Sequence, residues 1–529
     1  MHLFTSGAGA KRAMKDPPAM LLNFDVFFVI MSHLPRKDIS ALMRTCHTLY
    51  SGGVPKLFAR HSSGSMVRLD TSRQLNSLHQ FMKADTARYK FITLLYIALS
   101  SLEEKDGLKE ALVDLLRGTR QSLSLLGITN ADILREDPRI IDAIAKVESL
   151  QVLLMNVGPI TERRLTVPLH LLATMTSKVR MAVFDFGWED QEEDIVASLA
   201  NFSSSLERLA VHNVDFVSQD IKYVHMKHLH IGYMQTFNVA ALIQAYPNLQ
   251  TLGIAHRYPH NLLSEDVREE REENTKFQRR HKTWDRLEYV NAQILPLYIL
   301  AICCKVRFLR VGFLPPPSSS GPDTVDWLCA ILADCRPSIV HIGCNERDFG
   351  AFSQIARSIA NKKTHLVLSV ELSPTVLDYA WLIGALDRLL LPALRSLAMS
   401  EFTLSLAPMN RSRPDYSNSN DEDGLNRTEL VLRRVDVEAL AYRIMFSLPS
   451  LDYLGLHVCC NPRPETHWQT DKEGYRSLVE VGLAYGRKEV YEPFEYAKSS
   501  SSSRWVDSLP CLTPPGDPIP AYNVPWQLR

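Results

Sequence analysis

The runs LERLAV at residues 206–211, MKHLHI at 226–231 and LQTLGI at 249–254 carry an apolar residue at the first, fourth and sixth places. The closing alternation of each is that of a strand with one buried face. The same spacing returns at Ile92-Leu95-Ile97, Leu123-Leu126-Ile128, Leu150-Leu153-Met155 and Val179-Ala182-Phe184. Further on it falls at Leu287-Val290-Ala292, Val306-Leu309-Val311, Ile339-Ile342-Cys344, Leu394-Leu397-Met399 and Leu451-Leu454-Leu456, with a poorer instance at Leu368-Val370. In the clearest region, from 92 to 206, the starts step by 27 to 31 residues. Amphipathic helical stretches lie between the runs, among them Leu108 to Leu116, Asp137 to Val147, Tyr379 to Leu390 and Val437 to Met445. A strand and a helix repeated at such a period predict an α/β solenoid of parallel strands with helices on the convex side, each unit burying its leucines against the next.

Ahead of this array, Leu22 to Phe58 shows helical spacing in short pieces: Val26, Phe27, Ile30 and Leu34, then Ile39, Leu42, Met43, Cys46 and Leu49. Asn23 and Asp25 are placed to cap the first piece, Asp38 the second, and Gly52-Gly53 to end the last. A unit of under about 40 residues can hardly cover every face of three helices, which leaves an apolar face for a partner.

Leu22 with Val26, Ile30 and Leu34, followed by Asp38-Ile39, Leu42 and Thr45-Cys46, resembles an F-box. Asn23 and Tyr50 stand where that motif commonly has proline and tryptophan. With the leucine-rich array behind it, the chain is similar to the irregular leucine-rich-repeat-like F-box proteins common in mushrooms and related fungi. The resemblance implies a three-helix domain that docks on a Skp-type adaptor and so on a cullin ligase core. Its adaptor-binding residues would be Leu22, Val26, Ile30, Leu34, Ile39 and Leu42. The chain would then be the non-catalytic substrate receptor of an SCF-type ubiquitin ligase, its array holding a protein target. The alternative is a leucine-rich-repeat scaffold or interaction module with no ligase connection.

The chain has 529 residues, 46% hydrophobic and 22% charged, with Lys+Arg and Asp+Glu both 59. Balanced charge argues against general nucleic-acid binding and favours protein partners. The nine cysteines form no CxxC pair and lie mostly in apolar segments, so neither a disulfide framework nor a metal or cofactor site is expected. The first twenty residues lack the apolar core of a signal peptide, and no run of about 18 apolar residues occurs; the expected location is cytoplasmic or nuclear.

The expected organisation is a disordered leader at 1–18, the helical domain at 19–60, a linker or helical cap at 61–90 and the array at 91–496. Polar insertions are expected at 264–282, as a solvated helix or loop, and at 406–424. A Ser- and Pro-rich tail follows at 497–529.

No phosphate loop, GxSxG elbow or HExxH pair occurs. His225, His228 and His230 have no carboxylate or cysteine at ligating spacing and read as surface histidines. Because strand side chains alternate, the positions between the leucines face the open side of the array. They carry Arg208, His228, His230, Tyr289, Asn291, Phe308, Arg310, His341 and Tyr453, with Ser396 at a further such place. Tyr and Arg are favoured at interface hot spots, which makes this face the candidate for target binding.

Overall fold

The computed structural model describes residues 24–58, 66–102, 107–157, 162–186, 194–232, 238–255, 264–281, 283–312, 323–359, 364–373, 379–395, 397, 399–408, 427–459, 465–470 and 476–479. The chain divides into two compact units, with the break between Val67 and Arg68. Leu22, Asn23, Ser396, the leader and the tail lie outside the described residues.

The small unit has helices Phe24–Met31, Arg36–Met43 and His47–Phe58. Two expectations about its punctuation fail. Asp38 sits inside the first turn of the second helix, whose cap position is Pro35 with no side-chain cap bond. Gly52-Gly53 does not end the third helix, which continues to Phe58. These glycines are contact points: a Cβ on Gly52 would lie 2.1 Å from the Phe28 ring, and one on Gly53 would meet Met43 and Met31 at 2.4 and 2.6 Å. Met31, Ile39, Met43, Leu49 and Val54 are buried. Gly53→Val is therefore expected to unfold this unit at a temperature several degrees lower, since overpacking costs about 1–3 kcal/mol, whereas Ser51→Ala on the same helix should leave melting unchanged.

The large unit is built on one sheet, 16-stranded among the described residues and ordered as the strands follow in sequence. Its strands are β1 (Val67–Leu69), β2 (Leu94–Ile97), β3 (Leu125–Ile128), β4 (Val152–Asn156), β5 (Met181–Asp185), β6 (Arg208–His212), β7 (His228–Ile231) and β8 (Thr251–Ile254). They continue as β9 (Arg286–Ala292), β10 (Lys305–Val311), β11 (Ile339–Asn345), β12 (His365–Leu372), β13 (Glu401–Pro408), β14 (Tyr453–Val458), β15 (Glu465–Thr470) and β16 (Arg476–Val479). From β2 to β14 every neighbouring pair is parallel; β15 and β16 close the end as antiparallel strands. Parallel neighbours need crossovers, and helices supply most of them, several lying side by side, as Leu108–Gly118 does with Pro138–Ala145 and Asp323–Cys335 with Phe352–Ser358. This is an α/β fold of solenoid-like arrangement.

From β2 to β10 the fourth and sixth places of the sequence pattern fall in two inward rows, and both rows continue across the sheet to β14. Leu95, Leu126, Leu153, Ala182, Leu209, Leu229, Leu252 and Val290 make the first half of one, all fully buried. The turns before the strands recur as well. Ser122, Ser149 and Ser205, each just ahead of a first-place or equivalent leucine, donate through Oγ to the carbonyls of Ile92, Leu123 and Val179 one unit earlier, at 2.8–3.0 Å. Those hydroxyls satisfy carbonyls that the short strands leave over.

Two runs are phased differently from the reading above. Ile339 pairs with Phe308 in an outward row, and the inward residues of β11 are Val340, Ile342 and Cys344. Leu394 lies in the helix Leu391–Arg395, and the strand of that unit is β13, with Phe402, Leu404 and Leu406 inward. Residues 406–408 thus belong to a strand rather than to a polar insertion, the rest of which (409–424) lies outside the described residues. The other insertion is the helix Ser264–Arg280, and it is not merely solvated: Val267, Asn274 and Gln278 are buried. Asn274 Nδ2 donates to Ile299 O, and Gln278 Nε2 donates to Leu300 O and Ala301 O, which docks a polar helix by amides instead of leucines.

Candidate functional site

In the small unit, helix Phe24–Met31 turns Val26 (52% exposed), Val29 (61%) and Ile30 (44%) to solvent. Leu34 and Leu42 are half-buried, and Ile39 is fully buried within the unit's core. An eight-residue helix with three β-branched apolar residues exposed presents a face that water solvates poorly.

In the large unit, pairing brings the sequence candidates together in two outward rows. One runs Arg208, His228, Thr251, Tyr289, Phe308, Ile339, His365, Glu401, Tyr453. The other runs Ala210, His230, Gly253, Asn291, Arg310, His341, Val367, Thr403, Gly455. Tyr289 and Phe308 stack at 5.2 Å and are half-buried. Arg310 and His341 are nearest neighbours across β10 and β11, and Tyr453 stands apart from them, meeting His365 edge-on at 6.4 Å.

Of the three histidines expected at the surface, His225 is exposed, whereas His230 is half-buried and His228 is buried. His228 is buried, its Nδ1 3.1 Å from Thr251 Oγ1. The His230 ring lies across Gly253, where a Cβ would come within 2.4 Å of Nδ1; burial, helped by His212, lowers its pKa to about 4. His341 Nε2 is 2.7 Å from Ser369 Oγ, and burial beside Arg310 lowers its pKa to about 3. Both rings are neutral at pH 7. The N-terminal strands use the same device: Tyr96 lies over Gly127 while the Arg68 guanidinium stacks on it at 5.3 Å. Around it this end of the face is apolar, with Leu94, Leu125, Leu154 and Val183 buried.

Sequence reasoning missed the group on β12 and β13. His365 Nδ1 is 3.0 Å from Glu401 Oε2 and its Nε2 is 3.2 Å from Thr403 Oγ1. Carboxylate, imidazole and hydroxyl in line form the arrangement that activates a nucleophile. Here, however, Thr403 is only 2% exposed, so its hydroxyl is out of reach of a dissolved substrate and the chain of contacts ties three strand positions together. The strict alternation FTLSL at 402–406 is the signal that would have found it. Among the described residues no group of three or more His, Cys, Asp or Glu is placed to hold a metal ion, and no helix is long and apolar enough to cross a membrane.

No protein-family model matches the chain, and no curated protein matches it.

Proposed function

We propose that this chain is a substrate receptor: its N-terminal helices act as an F-box that binds a Skp-type adaptor of a cullin-based ubiquitin ligase, and the outward rows of its sheet hold a protein target. The observation that carries the reading is the exposed Val26, Val29 and Ile30 face, joined to the residue pattern from Leu22 to Cys46. The half-buried Tyr289–Phe308 stack, flanked by Asn291 and Arg310, supports the second half, because rigid aromatic residues beside Arg are favoured anchors. The receptor itself catalyses nothing; it contributes proximity, holding the target beside a ubiquitin-charged enzyme.

The test is binding of the full chain to a purified Skp-type adaptor. Val26→Asp with Ile30→Asp places two charges on an apolar contact and is expected to weaken binding by at least about 100-fold, since each uncompensated charge costs several kcal/mol when desolvated. Both positions are solvent-exposed, so melting should not change. If the wild-type chain fails to bind the adaptor, or the variant binds equally well, the receptor reading falls and the scaffold alternative takes its place.

A further inference from the structure

The edge at which the middle strands begin is a row of its own. Two residues stand there between the first- and fourth-place inward residues of each strand: Glu288 and Tyr289 between Leu287 and Val290, Arg307 and Phe308 between Val306 and Leu309. The first residue of each such pair is strung to that of the strand before it through the backbone, Glu207 N donating to Arg180 O, Lys227 N to Glu207 O, Gln250 N to Lys227 O and Glu288 N to Gln250 O, at 2.8–2.9 Å. In a chain of zero net charge this edge is basic: Arg180, Lys227, Arg286, Lys305 and Arg307, with Arg208 beside them, stand against Glu207, Asp285 and Glu288. Glu207 is held by Arg180 at 2.6 Å, and Glu288 is shared by Arg286 and Arg307 at 3.0 and 3.5 Å. Lys227 and Lys305 are exposed and make no ion pair among the described residues. Lys305 is moreover the register partner of Arg286 across β9 and β10. Like charges placed directly opposite each other destabilise a sheet, so this edge carries a cost that an incoming negative charge would relieve.

We propose that the edge binds an acidic peptide segment of the protein target, Lys227 and Lys305 taking its carboxylates while an apolar side chain of the segment lies against the Tyr289–Phe308 stack. The inference rests on the reading of the outward rows as the face that holds a target. Arg307 and Phe308 are consecutive, so the cations and the aromatic anchor meet one short segment together. A nucleic acid fits the same edge less well: Glu207 and Glu288 would stand against its phosphates, and the two rings stack on each other at 5.2 Å and are half-buried, which leaves little of either open to a base.

The probe is a short fluorescein-labelled peptide in which glutamate alternates with phenylalanine, titrated with the full chain by fluorescence anisotropy. Beside it run the same peptide with lysine for glutamate, one with alanine for phenylalanine, and a labelled oligouridylate. The glutamate–phenylalanine peptide should bind tightest, and its affinity should fall at least about tenfold between about 0.01 and about 1 M salt, as the screening length drops from about 30 to about 3 Å. Lys227→Glu with Lys305→Glu should weaken it at least about tenfold at low salt, while melting and adaptor binding stay as in the wild type, since both side chains are exposed. Any of the three comparison probes binding as tightly, or an unchanged affinity in the double variant, would overturn the proposal. Adaptor binding without peptide binding would sink this inference alone; peptide binding without adaptor binding would uphold it and sink the ligase connection instead.

Discussion

Gln278→Leu should destabilise the large unit by about 3–5 kcal/mol, even though leucine is the more apolar side chain and the site is 5% exposed. The helix Ile294–Leu300 ends with Ala301 in the left-handed region, at φ 49°. That turn aims the carbonyls of Leu300 and Ala301 and the N–H of Cys303 toward the helix Ser264–Arg280. Gln278 serves all three: Nε2 donates at 3.0 and 2.8 Å, and Oε1 accepts at 3.1 Å. Leucine removes every one of these bonds and admits no water in their place, and each stranded backbone group costs about 1–3 kcal/mol. Gln278→Glu keeps an acceptor for Cys303 N but faces two carbonyls with a charge, so it should be no better tolerated. Lys276→Leu, on the solvent side of the same helix, should shift stability by less than about 0.5 kcal/mol. Urea midpoints at constant slope measure all three. A loss below about 1 kcal/mol for Gln278→Leu would mean that the backbone groups find other partners.

The same helix shows where reading the sequence stops. Hydrophobic periodicity registers burial by leucine, and 264–280 is docked by Asn274, Gln278 and the Arg271–Asp334 pair, so it looks solvated. The parallel order of the sheet was legible because two inward places per strand recur at a near-constant step. A third regularity, serine ahead of the first leucine in SLSLLGI, SLQVLLM, SLERLAV and SLDYLGL, marks the same turns by hydrogen bonding rather than burial. Phase failed where three apolar residues met the spacing by accident: Leu394 closes a helix, while FTLSL eight residues later is the strand. That one slip hid Glu401 and Thr403, and with them the partners of His365. Gly52-Gly53 misled for another reason, since a glycine that lets two helices touch has the same letter as one that ends a helix.

Acid should destabilise the large unit through the histidines that the outward rows bury. His230 and His341 have folded-state pKa values lowered to about 4 and about 3, against 6.5 in the unfolded chain, because burial disfavours the charged ring; His212 adds to the effect at His230 and Arg310 at His341. A group with a depressed pKa binds its proton more readily when unfolded. Its contribution is therefore complete above pH 6.5 and is lost as pH falls toward 4 and then 3. Each ring accounts for on the order of 3 kcal/mol between pH 7 and pH 4. His212 acts in the same direction, lowered by burial and partly held up by Asp185. Asp348 opposes them, for burial raises its carboxyl and acid then favours the folded form. Denaturant unfolding at pH 7, 5.5 and 4 should show stability falling most steeply below pH 6.5. The double replacement His230→Gln with His341→Gln should flatten that fall while costing some stability at pH 7, where the Ser369 contact is disturbed. Equal slopes for variant and wild type would mean that these two rings are solvated and titrate as they do in the unfolded chain, and the dense packing of the outward rows would have to be given up with them.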